Sequence, residues 1–184
     1  MIEEVPLADG VILRPAAEQD AEALQRSYDR NREHLKQWEP RRPAEFFTLE
    51  GQAKRLMDVL EQQAQGRAMP WVLADGDEIV GRATLSGIVR GPWLSADLGY
   101  WVDGDYVGRG LATGAVREVC RLADEELRLH RIAASTLLDN AASQNVLVKT
   151  GFEPYGTADR YLEIDGRWQD CRLFQRILND RPAF

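Results

Sequence analysis

Apolar residues recur at helical spacing in the first third of the chain. From Ala17 to Leu35 they fall on one helical face, and the pattern stops before Pro40. This predicts one amphipathic helix, because a proline disfavours the helical conformation of the residue before it. A second apolar stripe begins after Thr48, a suitable N-cap, and ends near Gly66. The pattern therefore predicts two amphipathic helices in this region.

Short runs of apolar residues predict strands in the rest of the chain. Two Asp-Gly dipeptides, at 75–76 and 165–166, are strong signals for tight turns, and each predicts an antiparallel hairpin. An amphipathic helix is predicted at 111–129, and a short helix at 140–150 with Gly151 at its C-terminal cap. Because strands precede, interrupt and follow the helices, we predict a mixed α/β fold, not a regular doubly wound one. The predicted strands cover residues 11–14, 71–74, 78–85, 94–102 and 131–137 and the hairpin at 153–178.

The length and composition predict a single domain over residues 1–184. Hydrophobic residues make up 44% of the chain and charged residues 29%, a balance typical of a globular protein without a membrane segment. The acidic first residues lack the basic and apolar regions of a secretory signal. We therefore expect a cytoplasmic protein without a membrane partner.

The formal net charge is −7. Nucleic-acid binding depends on many Lys and Arg contacts to phosphate groups, so we expect no direct nucleic-acid partner. The acidic balance favours a basic acceptor such as a peptide, although net charge does not set the local field of one cleft.

The cysteines and histidines give no sign of a metal site. Cys120, Cys171, His34 and His130 lie far apart in sequence and lack the paired spacing of metal ligands. We expect the cysteines to be small core residues and expect no bound metal.

A glycine-bearing loop between a predicted strand and a predicted helix is the clearest candidate for a binding site. It reads Tyr-Val-Gly-Arg-Gly-Leu-Ala-Thr-Gly over residues 106–114. The first amides of a helix lack intrahelical acceptors and carry partial positive charge, so they attract anions. Gly108 and Gly110 add no side chain that would keep a phosphate away from those amides.

Three interpretations of this loop compete on the residues alone. A dinucleotide fingerprint needs Gly or Ala where Thr113 stands. A nucleoside triphosphate loop needs Gly-Lys followed by Ser or Thr, whereas Gly110 is followed by Leu111. Both fingerprints therefore fail on residue identity. An ordinary turn before a helix is the third interpretation, because glycines are frequent in turns.

The loop and the strand before it resemble the pyrophosphate-binding motif of the GNAT superfamily of N-acetyltransferases. The family pattern is Gln or Arg, two residues, Gly, one residue, and Gly or Ala, and Gly110 and Ala112 match its last two places. Val107 departs from the Gln or Arg of the pattern. Further segments resemble the ribosomal-protein alanine N-acetyltransferases of the RimJ type, at residues 31–40, 89–91, 130–132 and 161–168.

The resemblance implies a GNAT fold, in which a central mixed, mostly antiparallel sheet is splayed at its middle strands and covered by helices on both faces. It implies acetyl-CoA as co-substrate, with the pantetheine arm between the strands at 98–102 and 131–137. The cofactor-binding residues that it implies are Leu98, Tyr100, Trp101, Val102, Val107, Gly108, Arg109, Gly110, Leu111, Ala112, Thr113, Asn140 and Ser143. The basic residues available for the CoA phosphates are Arg109, Arg117, Arg131 and Lys149.

Acetyl transfer needs a polarised thioester carbonyl and a proton for the departing thiolate. By resemblance, a backbone amide at Tyr100 or Trp101 polarises the carbonyl. Ser143 donates the proton, and Asn140 binds CoA or positions the acceptor. Residues three apart share a helical face, so both polar side chains can point into one cleft. The same Asn-x-x-Ser pattern also fits an ordinary N-cap by Asn140, with Ser143 completing the first turn.

The group that accepts the amine proton is the least defined part of the predicted site. Some family members have Glu before the glycine of the final strand pair, but this chain has Tyr155, and tyrosine is a poor base at neutral pH. The carboxylates of Asp97 and Glu39 are the candidates, and each also fits an ordinary surface charge. A chain of water molecules that carries the proton to solvent is the remaining alternative.

The resemblance implies an enzyme that acetylates a primary amine by direct attack in a ternary complex. The implied acceptor is the N-terminal α-amino group of a protein, with ribosomal proteins as the expected class. Two alternatives stay open, namely a small-molecule amine such as an antibiotic, a polyamine or a metabolite, and a CoA-binding regulatory module without catalysis. A monomer and a homodimer are both compatible with the sequence.

Overall fold

A computed structural model describes residues 3–183 of the chain. Its strands are β1 (Val5–Pro6), β2 (Ile12–Pro15), β3 (Met69–Asp75), β4 (Glu78–Val89), β5 (Ser95–Val102), β6 (Arg131–Leu137), β7 (Glu153–Ile164) and β8 (Arg167–Ile177). Its α-helices are α1 (Ala21–Arg30), α2 (Arg32–Lys36), α3 (Leu49–Ala64), α4 (Leu111–Glu125) and α5 (Ala141–Lys149).

The strands form one sheet in the order β1-β2-β3-β4-β5-β6-β8-β7. Neighbouring strands are antiparallel, except that β5 and β6 are parallel. The Asp-Gly turns at 75–76 and 165–166 join β3 to β4 and β7 to β8. The predicted hairpins and the predicted mixed, mostly antiparallel sheet are therefore confirmed.

Helices cover both faces of the sheet, as predicted. On one face, Leu111 of α4 and Leu147 of α5 pack in the same buried cluster as Leu85 of β4. On the other face, Leu24 of α1 and Leu56 of α3 belong to a second cluster. Successive residues of a strand point to opposite faces, so the central strands are buried on both sides. Burial of these apolar side chains is the main favourable contribution to folding.

The first predicted helix is two helices, so the prediction of one continuous helix was wrong. The break between α1 and α2 lies at Asn31, whose φ is −99° and ψ 10°. The Asn31 side chain donates to the Ser27 carbonyl at 2.9 Å and accepts the amide of Gly104 at 2.9 Å. Such side-chain bonds compete with helical backbone bonds. The apolar periodicity continues through Leu35 and does not reveal the break.

Neither a membrane span nor a metal cluster occurs in the described part of the chain. No helix between residues 3 and 183 combines the length and apolar character needed to cross a membrane. Over the same residues, no three His, Cys, Asp or Glu side chains group in a way that could hold a metal ion. Cys120 and Cys171 are buried free thiols.

Candidate functional site

A cleft of about 940 Å³ runs along the middle strands of the sheet. Strand β5 lies between its two parts, which we call the α4 half and the α3 half. Residues that line the α4 half include Gly108, Gly110, Leu111, Ala112, Thr113, Thr136, Asn140, Ser143 and Lys149. Residues that line the α3 half include Tyr28, His34, Trp38, Glu39, Arg42, Arg55, Asp58 and Arg82.

Strands β5 and β6 separate beside the cleft. They pair only where residues 95–97 face residues 131–133. Beyond Asp97, β5 continues to pair with β4 through Val102, and β6 continues to pair with β8 through Leu137. The strand edges that face the gap carry backbone N–H and C=O groups, which an extended ligand can hydrogen-bond. The predicted splay of the middle strands is confirmed.

The loop before α4 presents backbone amides to the cleft. Gly108 and Gly110 have φ values of +79° and +77°, a backbone conformation that residues with a side chain rarely adopt. A Cβ atom at either position would meet nothing within 4 Å, so the space beside the loop is open. The Gly114 amide bonds the Gly110 carbonyl at 2.9 Å, which leaves the amides of residues 111–113 without helical acceptors. These amides and the helix dipole favour an anion.

Buried polar groups hold this loop against the helices of the α3 half. Asp103 is 2% exposed and accepts hydrogen bonds from Arg30 Nε at 2.6 Å and from the Asp105 amide at 3.0 Å. Burial alone would raise the pKa of Asp103, but hydrogen bonds from Asn31, Asp105 and Arg30 lower that pKa below its ordinary value. The charged carboxylate thereby ties the start of the loop to α1.

Two hydroxyl groups meet where β5 faces the start of α5. The hydroxyl oxygens of Tyr100 and Ser143 are 2.8 Å apart. Burial raises the pKa of Tyr100 to about 12, against the opposing effect of the Ser143 hydrogen bond, so Tyr100 keeps its proton at neutral pH. Asn140 is the N-cap of α5, and its Oδ1 accepts the Ser143 amide at 3.0 Å. This arrangement places two hydrogen-bonded hydroxyl groups on the cleft wall.

Aromatic and charged side chains line the α3 half. The Trp101 indole donates to the Tyr28 hydroxyl at 3.0 Å, and the two ring centroids are 5.0 Å apart. Glu39 Oε2 lies 3.4 Å from Arg42 Nη2. A polar acceptor that enters this half would therefore meet both a carboxylate and a guanidinium group.

Three observations indicate that the α4 half can bind CoA. The open loop and its amides suit a diphosphate, and the gap between β5 and β6 suits an extended arm that carries amide groups. The third observation is the hydroxyl oxygen of Thr136, which is buried without a hydrogen-bond partner among residues 3–183 and belongs to the cleft wall. A buried polar atom of this kind can satisfy a ligand.

Comparison with known families agrees with this geometry. The family described as the acetyltransferase (GNAT) domain matches residues 11–153. The chain belongs to the GNAT acetyltransferase family. It is an N-acetyltransferase that uses acetyl-CoA, as the resemblance of the loop implied.

Relatives within the GNAT family match most of the chain. The ribosomal protein uS5 alanine N-acetyltransferase of Escherichia coli is 36% identical over 164 residues, which cover 88% of this chain and 84% of the relative. The crystal structure of the ribosomal-protein-S5-alanine acetyltransferase of Vibrio fischeri matches with a TM-score of 0.94 and 33% identity, over 98% of this chain and 100% of that chain. RimJ of Mycobacterium smegmatis, solved in complex with CoA-disulfide, matches with a TM-score of 0.86 and 32% identity, over 91% and 81% of the two chains.

Most of the site residues predicted for this GNAT enzyme line the cleft described above. Those on the cleft wall are Glu39, Leu98, Tyr100, Trp101, Val102, Val107, Gly108, Gly110, Leu111, Ala112, Thr113, Asn140 and Ser143. Of the four basic candidates for the CoA phosphates, Lys149 lies on this wall. Their roles in binding and catalysis stay predictions.

Two predicted site residues, Arg109 and Asp97, lie outside the cleft wall. Arg109 donates to the Asp105 carbonyl at 2.9 Å and stacks 4.5 Å from the Tyr106 ring centroid. Asp97 is solvent exposed at the point where β5 leaves β6. Partial desolvation raises the pKa of Asp97, while Arg131 opposes the shift.

Sequence reasoning missed three arginines on the wall of the α3 half, namely Arg42, Arg55 and Arg82. Arg82 had a detectable signal, because it is a charged residue between two apolar or small neighbours inside a predicted strand. Arg55 and Arg42 had none, because charged residues on a helix or in a loop are usually solvated.

Proposed function

We propose that this enzyme acetylates the N-terminal α-amino group of a protein, with ribosomal proteins as the acceptor class and alanine as the first residue. The observation that carries the proposal is the similarity, along nearly the whole chain, to enzymes named as ribosomal-protein alanine acetyltransferases. The α3 half supports it further, because this part of the cleft is open beside β5 and can admit an extended chain end.

The chemistry that acetyl-CoA supplies is an acyl group activated as a thioester. The amine nitrogen attacks the carbonyl carbon, so a C–N bond forms as the C–S bond breaks. A backbone amide at Tyr100 or Trp101 stabilises the developing oxyanion. Ser143 donates its hydroxyl proton to the departing sulfur, and the Tyr100 hydroxyl, 2.8 Å away, replaces that proton. Solvent then returns a proton to Tyr100.

The attacking amine must lose one proton on the acceptor side. Glu39 is the predicted carboxylate that lies on the cleft wall, whereas Asp97 lies outside it. Glu39, directly or through a water molecule, therefore accepts the proton in this proposal. Its ion pair with Arg42 holds the carboxylate in place.

A panel of acceptors with acetyl-CoA tests the proposed function. The panel contains peptides with a free N-terminal alanine, the same peptides blocked at the N-terminus but carrying a lysine, and small amines such as a polyamine and an aminoglycoside. Thiol release gives the rate, and mass spectrometry locates the acetyl group. The free peptides should show a kcat/KM about tenfold or more above that of any small amine, equivalent to about 1.4 kcal/mol of transition-state binding.

The blocked peptides provide the control for position. They should remain unmodified, because the lysine side chain does not present an α-amino group. Acetylation confined to small amines, or of the lysine in the blocked peptides, would contradict a protein N-terminus as the acceptor.

A further inference from the structure

Three arginine side chains converge on the α3 half of the cleft. Arg42 follows α2, Arg55 lies on α3 and Arg82 lies on β4, and each belongs to the cleft wall. The chain as a whole carries a formal net charge of −7. A basic wall in an acidic protein is a local feature, and local charge determines which ligands a cleft attracts.

Two of these guanidinium groups pack against one ring. The Cζ atoms of Arg42 and Arg55 lie 4.7 Å and 4.9 Å from the centroid of Phe46. The face of an aromatic ring attracts a cation at such distances. Phe46 is 4% exposed, so the ring is a fixed support. Because the guanidinium groups are held before a ligand arrives, less side-chain entropy is lost on binding.

The positive charge of the cluster is only partly neutralised. Glu39 pairs with Arg42 at 3.4 Å. Within residues 3–183, neither Arg55 nor Arg82 has a carboxylate within ion-pair distance. Arg42 Nε is buried and has no hydrogen-bond partner among the same residues. A buried donor without a partner is costly, and a ligand oxygen would satisfy it.

The positive charges of Arg42 and Arg82 repel the guanidinium group of Arg55. Desolvation lowers the pKa of Arg55, and the neighbouring guanidinium groups of Arg42 and Arg82 lower it further. Asp58 also lines this half of the cleft, but it lies beyond ion-pair distance of Arg55 in the described chain. An anionic ligand group between the guanidinium groups would remove this repulsion.

The cluster lies close to the point of acyl transfer. Across β4 and β5, Arg82 pairs with Trp101 and Ala83 pairs with Tyr100, whose hydroxyl contacts Ser143. Arg82 and Tyr100 point to opposite faces of the sheet, and the cleft that both residues line connects these two faces. An extended peptide advances about 3.3 Å per residue. A group bound by Arg82 therefore belongs to the first few residues of an acceptor whose amine reaches the thioester.

We propose that the acceptor carries a carboxylate close to its reactive amine and that Arg42, Arg55 and Arg82 bind this carboxylate. The inference rests on the proposed function and deepens it, since it names the substrate class as protein N-termini with Asp or Glu at the second residue. The same chemistry exists in the α-carboxylate of a free amino acid, which the test distinguishes.

Binding of acetylated product peptides to the CoA-loaded enzyme tests the site without turnover. The probes are peptide amides that begin N-acetyl-Ala-Asp or N-acetyl-Ala-Asn and are otherwise identical, so they differ in one charge. Calorimetry should give a Kd about tenfold lower for the Asp peptide, as expected for a charge-assisted hydrogen bond. In Arg55→Gln and in Arg82→Gln the ratio of the two Kd values should fall towards one.

Arg121→Gln is the matched control. Arg121 lies on α4, bonded to Glu118 and Glu125, so its replacement removes the same charge outside the cleft wall. This variant should keep the tenfold ratio. The ratio compares two ligands on one protein, so loss of folded material does not imitate the effect. Equal Kd values in the unmodified enzyme, or a preference that survives both cleft substitutions, would overturn the proposal.

Turnover measurements separate this inference from the proposed function. Peptides beginning Ala-Asp and Ala-Asn with free amines are compared with alanine and alaninamide. Faster acetylation of the Asp peptide supports both proposals. Acetylation of alanine alone, with N-acetylalanine bound more tightly than its amide, retains the carboxylate site but refutes a protein acceptor. Equal acetylation of both peptides retains the protein acceptor and refutes the carboxylate site.

Discussion

The two halves of the cleft are built from different parts of the polypeptide. In the α4 half, the groups that suit the donor are largely backbone amides, from the neighbouring stretches 98–102 and 107–113. In the α3 half, the wall consists of side chains that lie as far apart in sequence as Tyr28 and Ile164. The first half therefore depends on local chain conformation, and the second depends on tertiary packing.

This difference explains why the donor is easier to assign than the acceptor. Val107 stands where the family pattern has Gln or Arg, yet the loop still presents its amides to the cleft. A backbone site tolerates such changes, because every residue type except proline supplies the same N–H group. A wall of side chains changes with each substitution, so the acceptor has to be inferred from this chain's own residues.

Removal of the Ser143 hydroxyl should have the largest effect on activity. Ser143→Ala should lower kcat about 100-fold, the lower range for a positioned acid catalyst, with little change in the KM for acetyl-CoA. Ser143→Thr keeps a hydroxyl and should retain more activity. Steady-state kinetics with saturating peptide measure both. An unchanged kcat under conditions where the chemical step limits the rate would exclude Ser143 as the proton donor.

A change of backbone conformation in the loop before α4 should weaken binding of acetyl-CoA and leave binding of the peptide unchanged. Gly110→Ala places a Cβ at a φ of +77°, which costs about 1–2 kcal/mol if the loop keeps its shape. We expect the KM for acetyl-CoA to rise about tenfold as the loop relaxes, with the KM for peptide unchanged. Gly91→Ala, at a φ of +68° in the turn before β5, is the control for strain alone. The same rise in Gly91→Ala would show that general destabilisation is the cause.

A neutral substitution in the α3 half should affect proton removal. Glu39→Gln should lower kcat about fivefold, a small effect for a general base, because water can carry the proton instead. The KM for acetyl-CoA should not change. Asp97→Asn is the matched variant, and its kcat should stay close to that of the unmodified enzyme. A larger loss in Asp97→Asn than in Glu39→Gln, measured across the pH profile of kcat, would reverse the assignment.

The smallest effect on activity is expected from substitution of Asn31, whose side chain accepts the amide of Gly104 in the loop before α4. Asn31→Ala leaves the partly buried Gly104 amide without its acceptor, at a cost of about 1–3 kcal/mol. Tm should fall by several degrees, at about 2–4 °C per kcal/mol for a chain of this size. The KM for acetyl-CoA should rise about twofold as the loop loosens. An unchanged Tm in Asn31→Ala would contradict a stabilising role for the Asn31 side chain.

Local signals account for what could be predicted from the sequence. Thr48 caps α3 through a 3.1 Å bond from the Gly51 amide. The Asp-Gly dipeptides at 75–76 and 165–166 lie at hairpin turns. Both features depend on a few neighbouring residues. The loop at 106–114 was recognisable for the same reason. Asn31 and Asp103 were not, because their partners lie about seventy positions away, as in the 73-residue separation of Asn31 from Gly104.

The arginine cluster shows the same limit within the site. Arg42, Arg55 and Arg82 belong to a loop, a helix and a strand, and only tertiary packing brings them to one wall. The composition predicted the opposite kind of acceptor, because the negative net charge favoured a basic one. Net charge describes the whole surface, whereas recognition depends on the few groups that face the ligand.

A crystal structure of the complex with CoA tests whether the loop before α4 binds the donor. We predict diphosphate oxygens within hydrogen-bonding distance, about 2.7–3.2 Å, of amides in residues 108–113. We also predict the pantetheine arm between β5 and β6, with the sulfur beside the Ser143 hydroxyl. A diphosphate bound elsewhere, with the amides at the start of α4 facing solvent, would contradict this assignment.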